Sequence, residues 1–114
     1  MREFVDCASY CLGGAFLLNA VPHLASGTRG EAFQTPFSRP PGKGLSSSTV
    51  NVAWGIANLL LAYLLVFRVG VFNARSGRHI ASLFAGFLLS GLSGAKHFGQ
   101  FHGGDLRQNG KKNG

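Results

Sequence analysis

The chain has 114 residues, of which 46% are hydrophobic and only 13% are charged, and its formal net charge is +7. This length allows a single compact unit. Soluble domains usually carry about 25% charged residues, so the low charge content argues against most classes of soluble enzyme. Three long apolar stretches account for the low charge content and indicate a membrane protein.

The apolar stretches predict the fold class. Each is close to the length that crosses a bilayer core, about 17–25 residues. The sequence therefore predicts an all-α fold, an integral membrane three-helix bundle with one long ordered interfacial loop. Residues 1–102 are expected to form a single transmembrane domain, with spans at residues 4–24, 49–72 and 80–101. Residues 103–114 are expected to form a basic flexible tail.

The first apolar stretch carries two polar residues on one helix face. Asn19 and His23 lie four residues apart, so they share that face. Pro22 is expected to kink or end the helix. The apolar run is longer than the core of a typical signal peptide, and we interpret it as an uncleaved first helix. Cys7 and Cys11 also share a face, where small apolar packing is favoured over a redox or metal pair.

Residues 25–48 form the longest polar segment, which is interrupted by glycines and prolines. Phe33 and Phe37 favour an ordered loop on the membrane surface. Backbone amides next to Arg39 and Lys43 have the chemistry to hold a phosphate or carboxylate, as a lipid head group would require. The simpler alternative is a surface loop that covers the helix ends. Lys96, near the end of the third stretch, is expected to reach the head groups as well.

Polar and small residues recur at helical spacing in the second and third stretches. In lipid, a buried amide requires a hydrogen-bond partner on another helix, and small residues allow two helix backbones to approach closely. The spacing does not show whether the partner helix belongs to this chain or to another. The predicted helix-packing residues are Asn19, Asn51, Trp54, Asn58, Ser82, Gly86, Ser90 and Gly94.

Three spans place the long loop and the end of the third helix on one membrane side, with His23, His97 and His102. Neutral imidazoles bind zinc, copper or haem iron. His97 and His102 are five residues apart and do not share a helix face, so interfacial or hydrogen-bonding roles are favoured. No cofactor is predicted, and haem or a transition metal on these histidines is the alternative. The arginine-rich turn at residues 68–79 favours a cytoplasmic N-terminus in the cell membrane.

The sequence offers little support for catalysis. Its few acidic residues are scattered, and no serine follows a nucleophile motif. The leading hypothesis is a small multi-pass membrane protein that serves as a non-enzymatic accessory or structural subunit of a larger membrane assembly. The alternatives are a membrane redox or metal-binding protein and a small oligomeric transporter or lipid-binding module. The expected partners are the lipid bilayer and another membrane protein or a second copy of the chain, but not nucleic acid, because no basic stretch alternates with aromatic residues.

Overall fold

The computed structural model describes residues 1–104 and is mostly α-helical, as the sequence predicts. Its elements in chain order are α1 (Arg2–Thr28), β1 (Phe33–Gln34), β2 (Leu45–Ser46), α2 (Ser48–Tyr63), a π-helical continuation of α2 (Leu64–Val69) and α3 (Gly77–His102). The two short strands form an antiparallel pair. The tail predicted at residues 103–114 lies outside the described residues from position 105 onward.

The first helix is longer than predicted. Pro22 lies inside α1, which continues to Thr28. A proline removes one helical hydrogen bond, but tertiary packing holds the last turn in place. Gly27 lies directly against the start of α2, where an added Cβ atom would be 2.8 Å from the carbonyl oxygen of Ser48. The close approach of these two turns therefore extends α1 beyond its apolar stretch.

The second helix begins at a side-chain cap and ends in a widened turn. The Ser47 hydroxyl accepts a hydrogen bond from Val50 N at 3.2 Å, which satisfies one of the free amides of the first turn. At the other end, the Ser9 hydroxyl donates to the Leu65 carbonyl at 2.5 Å. Arg2 Nη2 donates to the Val69 carbonyl at 2.7 Å. The N-terminal half of α1 thus supplies donors to carbonyls of the π-helical segment.

Helix α1 packs against both α2 and α3 and is the central helix of the bundle. Its contact with α3 depends on glycine at two points. An added Cβ atom at Gly86 would collide with the Cys11 carbonyl, and one at Gly14 would collide with the Leu83 carbonyl. At Gly94 it would meet only the Phe98 ring of the same helix, at 3.8 Å. The two helices therefore touch closely near Gly86 and separate toward Gly94.

The interior of the bundle is polar and its surface is apolar. The fully buried side chains include His23, Asn51 and Asn58, whereas Leu88 and Leu92 are 62% and 68% exposed. Soluble proteins show the opposite arrangement for large apolar and polar side chains. The buried apolar residues are Tyr10, Ala20, Phe33, Ala62 and Val66.

Two helices are long and apolar enough to cross a membrane, Arg2–Thr28 and Ser48–Val69. At 1.5 Å per residue they measure roughly 40 and 33 Å, compared with about 30 Å for a bilayer core. Only 28% of the most apolar window of each is buried. Although α3 has 26 residues, it is not one of the two. Its uncharged run extends only from Ile80 to Ala95, so every 18-residue window also includes His79 or Lys96, which lowers the mean hydropathy.

Candidate functional site at the loop-covered end of the bundle

The loop between α1 and α2 folds over one end of the bundle. Phe33 pairs with Ser46 and Gln34 with Leu45 in the short sheet. Between the strands, the Thr35 carbonyl accepts hydrogen bonds from Gly42 N at 2.8 Å and from the Ser38 hydroxyl at 2.7 Å. These contacts bury Thr35 and Ser38 and turn a glycine- and proline-rich segment into an ordered cover.

Asn51, in the first turn of α2, holds this cover in place. Its side-chain amide nitrogen donates to the carbonyls of Phe33 at 3.1 Å, Ser46 at 3.2 Å and Ser47 at 3.0 Å. Its Oδ1 atom lies 2.7 Å from His23 Nδ1. Asn51 is fully buried, so one side chain joins both strands of the loop to α1 and α2.

These contacts determine the tautomer of His23. Carbonyl groups only accept hydrogen bonds, so the NH2 group of Asn51 must face the three carbonyls and its oxygen must face His23. His23 Nδ1 therefore carries a proton, and Nε2 of the neutral ring carries a lone pair. The ring is 1% exposed and packs edge-on against Phe33, Trp54 and Phe98, with centroid separations of 5.5, 6.4 and 6.1 Å.

A pair of asparagines links α1 to α2 deeper in the bundle. Asn19 Nδ2 donates to Asn58 Oδ1 at 3.1 Å, and Asn58 Nδ2 donates to the Trp54 carbonyl at 2.7 Å. Asn58 is fully buried. The structure thus brings Asn19, Asn51, Trp54 and Asn58 together on one α1–α2 interface, together with His23.

The other two predicted histidines attach α3 to the loop. His97 Nε2 donates to the Gly42 carbonyl at 2.6 Å. His102 Nε2 lies 2.9 Å from Gln34 Oε1, and its ring stacks on Phe33 at 5.0 Å. His23, His97 and His102 therefore lie at the same end of the bundle, each with a different hydrogen-bond partner. Within residues 1–104, no three His, Cys, Asp or Glu side chains form a group that could hold a metal ion.

A cavity of about 120 Å³ lies between the three helices and the loop. Its walls include His23, Gln34, Thr35, Trp54 and His97. The indole nitrogen of Trp54 is buried and has no hydrogen-bond acceptor in the described part of the chain. Since His23 Nδ1 is bonded to Asn51, the ring nitrogen left for this cavity is the lone-pair atom Nε2. The side-chain amides of Asn19 and Gln34 line the same cavity, so its walls carry several hydrogen-bonding groups.

A larger cleft of about 480 Å³ lies beside this cavity, where α1 and α3 separate. It is mostly apolar, with Leu12, Phe16 and Leu89 in its walls. Ser90 and Gly94, two of the small residues predicted to pack, line the cleft and leave space between the helices. Ser82 points its hydroxyl at the Arg78 carbonyl of its own helix, at 2.9 Å.

The basic residues predicted to contact head groups are all exposed. Arg39 and Lys43 lie on the loop, and Lys96 lies at the same end of α3. Cys7 and Cys11 are free thiols in the first half of α1, far along the chain from this site. These cysteines and the histidines do not come together.

Sequence reasoning did not identify the loop residues Gln34 and Thr35 or the helix residue Phe98 as parts of the site. Gln34 and Thr35 are polar residues in a polar loop, so no periodic pattern marks them. Phe98 packs between Phe33 and His97, with ring-centroid separations of 4.7 and 5.0 Å. The useful signal was the phenylalanine at position 33 within an otherwise polar segment.

Comparisons of the chain with protein-family models, with curated proteins and with solved structures found no match.

Proposed function

We propose that the protein is a three-span integral membrane protein that serves as a non-enzymatic accessory subunit of a larger membrane assembly. The observation that carries this proposal is the inverted distribution of side chains, with asparagine and histidine inside and leucine and phenylalanine outside. The apolar outer surface suits contact with lipid or with another protein. The polar side chains inside the bundle suit hydrogen bonding between helices.

The exposure of α1 and α2 supports the membrane location. A core helix of a soluble protein also passes a test of length and hydropathy, but it is mostly buried. Here only 28% of each apolar window is buried. Each exposed Leu or Phe side chain left in water forgoes about 1.5–3 kcal/mol of transfer free energy, so a bilayer is the favourable medium for this surface.

The position of α3 supports a third span. Arg78 near its start pairs with Glu3 at the start of α1, and His97 near its end contacts the loop that follows α1. Helix α3 therefore runs beside α1 over the same depth and in the same direction. With an outer surface that includes Phe84 and Leu88, it requires apolar surroundings too.

The lower hydropathy of α3 supports a protein partner on its outer side. A helix with many small residues gains less from lipid than a leucine-rich helix, and small residues allow another helix backbone to approach. Ala81 and Ala85 are exposed and lie four residues apart on this outer surface. We therefore place the partner helix against Ala81 and Ala85.

The hydrogen bonding of the buried polar groups supports a structural role in preference to catalysis. Asn51 has four hydrogen-bond partners, and Asn58 is bonded to Asn19 and to the Trp54 carbonyl. These bonds join loop to helix and helix to helix. In membrane proteins such bonds contribute about 0.6 kcal/mol each on average to helix association.

Purification in mild detergent followed by mass spectrometry tests the accessory role. We expect one larger membrane complex to copurify with the wild-type chain. Ala85→Trp should release the partner, because the indole would occupy the space of the approaching helix. Leu60→Trp is the matched control, since Leu60 is 60% exposed on α2, away from the proposed contact. Release by both variants, or by neither, would contradict the proposed contact on α3.

A further inference from the structure

One hydrogen bond brings basic residues of the loop and of α3 together at the loop-covered end of the bundle. His97 Nε2 donates to the Gly42 carbonyl at 2.6 Å. Lys96 precedes His97 on α3, and Lys43 follows Gly42 in the loop. Two lysines that are far apart in the sequence are therefore held close together in the structure.

A tight turn in the loop adds Arg39 to this pair. The Pro40 carbonyl accepts hydrogen bonds from Lys43 N at 3.0 Å and from Gly44 N at 2.9 Å. Arg39 directly precedes Pro40, so its backbone lies close to that of Lys43. The side chains of Arg39, Lys43 and Lys96 are all exposed, and we call these three residues the basic surface.

No acidic side chain neutralises the basic surface within residues 1–104. Glu31 is the acidic residue at this end, and its carboxylate is bonded to Arg29 at 2.7 Å. Glu3 and Asp6 pair with arginines at the opposite end of the bundle. The three positive charges are thus left to attract an anion from outside the chain.

Exposed apolar side chains surround the basic surface. Phe37 and Leu45 on the loop are 63% and 62% exposed, and Leu92, one turn before Lys96 on α3, is 68% exposed. A free anion in water offers these side chains no apolar contact. A phospholipid offers both a charged head group and a hydrocarbon chain, and long basic side chains reach from apolar surroundings to head groups.

We propose that the basic surface binds the head group of an anionic phospholipid. The arginine and the two lysines contact its phosphate, while Phe37 and Leu45 lie in the interfacial layer of the bilayer. A zwitterionic phospholipid carries the same phosphate together with a compensating ammonium group, so it binds less tightly. The proposal goes beyond the accessory role and rests on its membrane location, but it does not require the protein partner.

The single tryptophan of the chain reports on this end of the bundle alone. Trp54 lies about 9 Å along α2 from Ser48 and packs edge-on against Phe37 at 5.1 Å. Bromine quenches tryptophan only at short range, so lipids brominated in the upper part of their chains quench Trp54 from the nearer leaflet. The purified chain is reconstituted in phosphatidylcholine vesicles that contain a small fraction of brominated phosphatidylglycerol or, as the control lipid, brominated phosphatidylcholine.

The difference between the two lipids measures recognition of the head group. We expect brominated phosphatidylglycerol to quench Trp54 with an apparent association constant at least about fivefold higher than that of the control lipid. One basic residue near a bilayer surface accounts for about this factor. The preference should fall when the salt concentration is raised from about 0.1 M to about 1 M, because the Debye length shortens from about 10 Å to about 3 Å.

Two double variants with the same change in net charge locate the contact. Arg39→Gln/Lys43→Gln should lower the lipid preference at least about fivefold. Arg68→Gln/Arg75→Gln should leave the preference unchanged, because both arginines lie at the opposite end of the bundle. Lys96→Gln should lower it at least about twofold, although this residue belongs to α3. All five substituted side chains are exposed, so the variants are expected to fold.

Four outcomes would overturn the proposal. Equal quenching by the two brominated lipids would show that the chain lies in the bilayer without recognising an anionic head group. An equal loss of preference in both double variants would indicate a general effect of net charge. An unchanged preference in Lys96→Gln would remove α3 from the contact. Failure of either lipid to quench Trp54 would place the loop-covered end outside the bilayer, which would contradict the membrane location as well.

Discussion

At the scale of single residues, Asn51 is the side chain on which the loop-covered end depends most. It uses one amide to bond two strands, the cap of α2 and His23. Removing it leaves several buried groups without partners, and each such group costs about 1–3 kcal/mol. We predict that Asn51→Ala lowers the free energy of unfolding by about 2–4 kcal/mol. Thermal unfolding in detergent, followed by circular dichroism, measures the change.

Gln100→Ala is the control for this prediction. Gln100 lies at the same end of the bundle but is exposed, with hydrogen bonds only to His97. Substitutions of exposed residues usually change the free energy of unfolding by no more than about 0.5 kcal/mol. Equal unfolding temperatures for Asn51→Ala and wild type would show that the amide does not hold the loop.

The bond between Asn19 and Asn58 permits a direct measurement of one polar contact in the bundle. A double-mutant cycle with Asn19→Ala and Asn58→Ala should give a coupling free energy of about 0.6 kcal/mol, the average for such bonds in membrane proteins. The same cycle with Asn19→Ala and Asn73→Ala should give none, because Asn73 lies in the turn before α3. A coupling free energy of zero for Asn19 and Asn58 would show that the two side chains are not hydrogen-bonded.

The sequence predicts part of this polar interface, and the reason is periodicity. Asn19, Asn51 and Asn58 are recognisable because amides within apolar stretches require partners, and helical spacing determines their face. Their choice of partner is not predictable. Asn51 bonds Phe33 and Ser46, which precede it by 18 and 5 residues and pair with each other in the short sheet. The register of that sheet depends on how the loop packs. The free Trp54 indole is visible only in three dimensions.

At the scale of helices, the approach of α1 and α3 depends on Gly86 and Gly14 more than on a continuous stripe of small residues along α3. A Cβ atom at Gly86 collides with the Cys11 carbonyl, whereas at Gly94 there is room. Gly86→Ala should therefore destabilise the bundle by about 1–3 kcal/mol through overpacking. Gly94→Ala should be neutral or stabilising, because alanine is favoured over glycine in helices by up to about 1 kcal/mol.

Unfolding of both variants in the same detergent compares the two positions. A loss of stability of similar size at both would mean that α3 contacts α1 along its whole length. A loss at neither would mean that the two helices are not in close contact at Gly86. The four-residue spacing predicts both positions equally, because a stripe of small residues does not show where two helices begin to separate.

Helix existence follows directly from the length of the apolar runs, whereas helix ends do not. The prediction ended the first helix at residue 24 because Pro22 and the following polar residues weaken a helix. The contact of Gly27 with Ser48 and Val52 extends it to Thr28. Likewise, no feature of the segment from Leu64 to Val69 predicts its π-helical form. Donors from Ser9 and Arg2 accompany that form.

At the scale of the whole molecule, the arrangement of the helix ends implies a topology. The loop residue Lys43 and the α3 residue Gln100 lie at one end, and the turn residue Arg75 lies at the other. If all three helices span the membrane, Lys43 and Gln100 lie on one side of the membrane and Arg75 lies on the opposite side. Short loops rich in arginine favour the cytoplasm, so Arg75 is expected inside.

Single-cysteine labelling tests both the third span and the orientation. In a background with Cys7→Ser and Cys11→Ser, a membrane-impermeant maleimide should label Lys43→Cys and Gln100→Cys in intact cells. Arg75→Cys should react only after the membrane is permeabilised. If α3 lay on the membrane surface without crossing, Gln100→Cys would react together with Arg75→Cys. If the orientation were reversed, Arg75→Cys alone would react in intact cells, and the three-span bundle would stand with its loop in the cytoplasm.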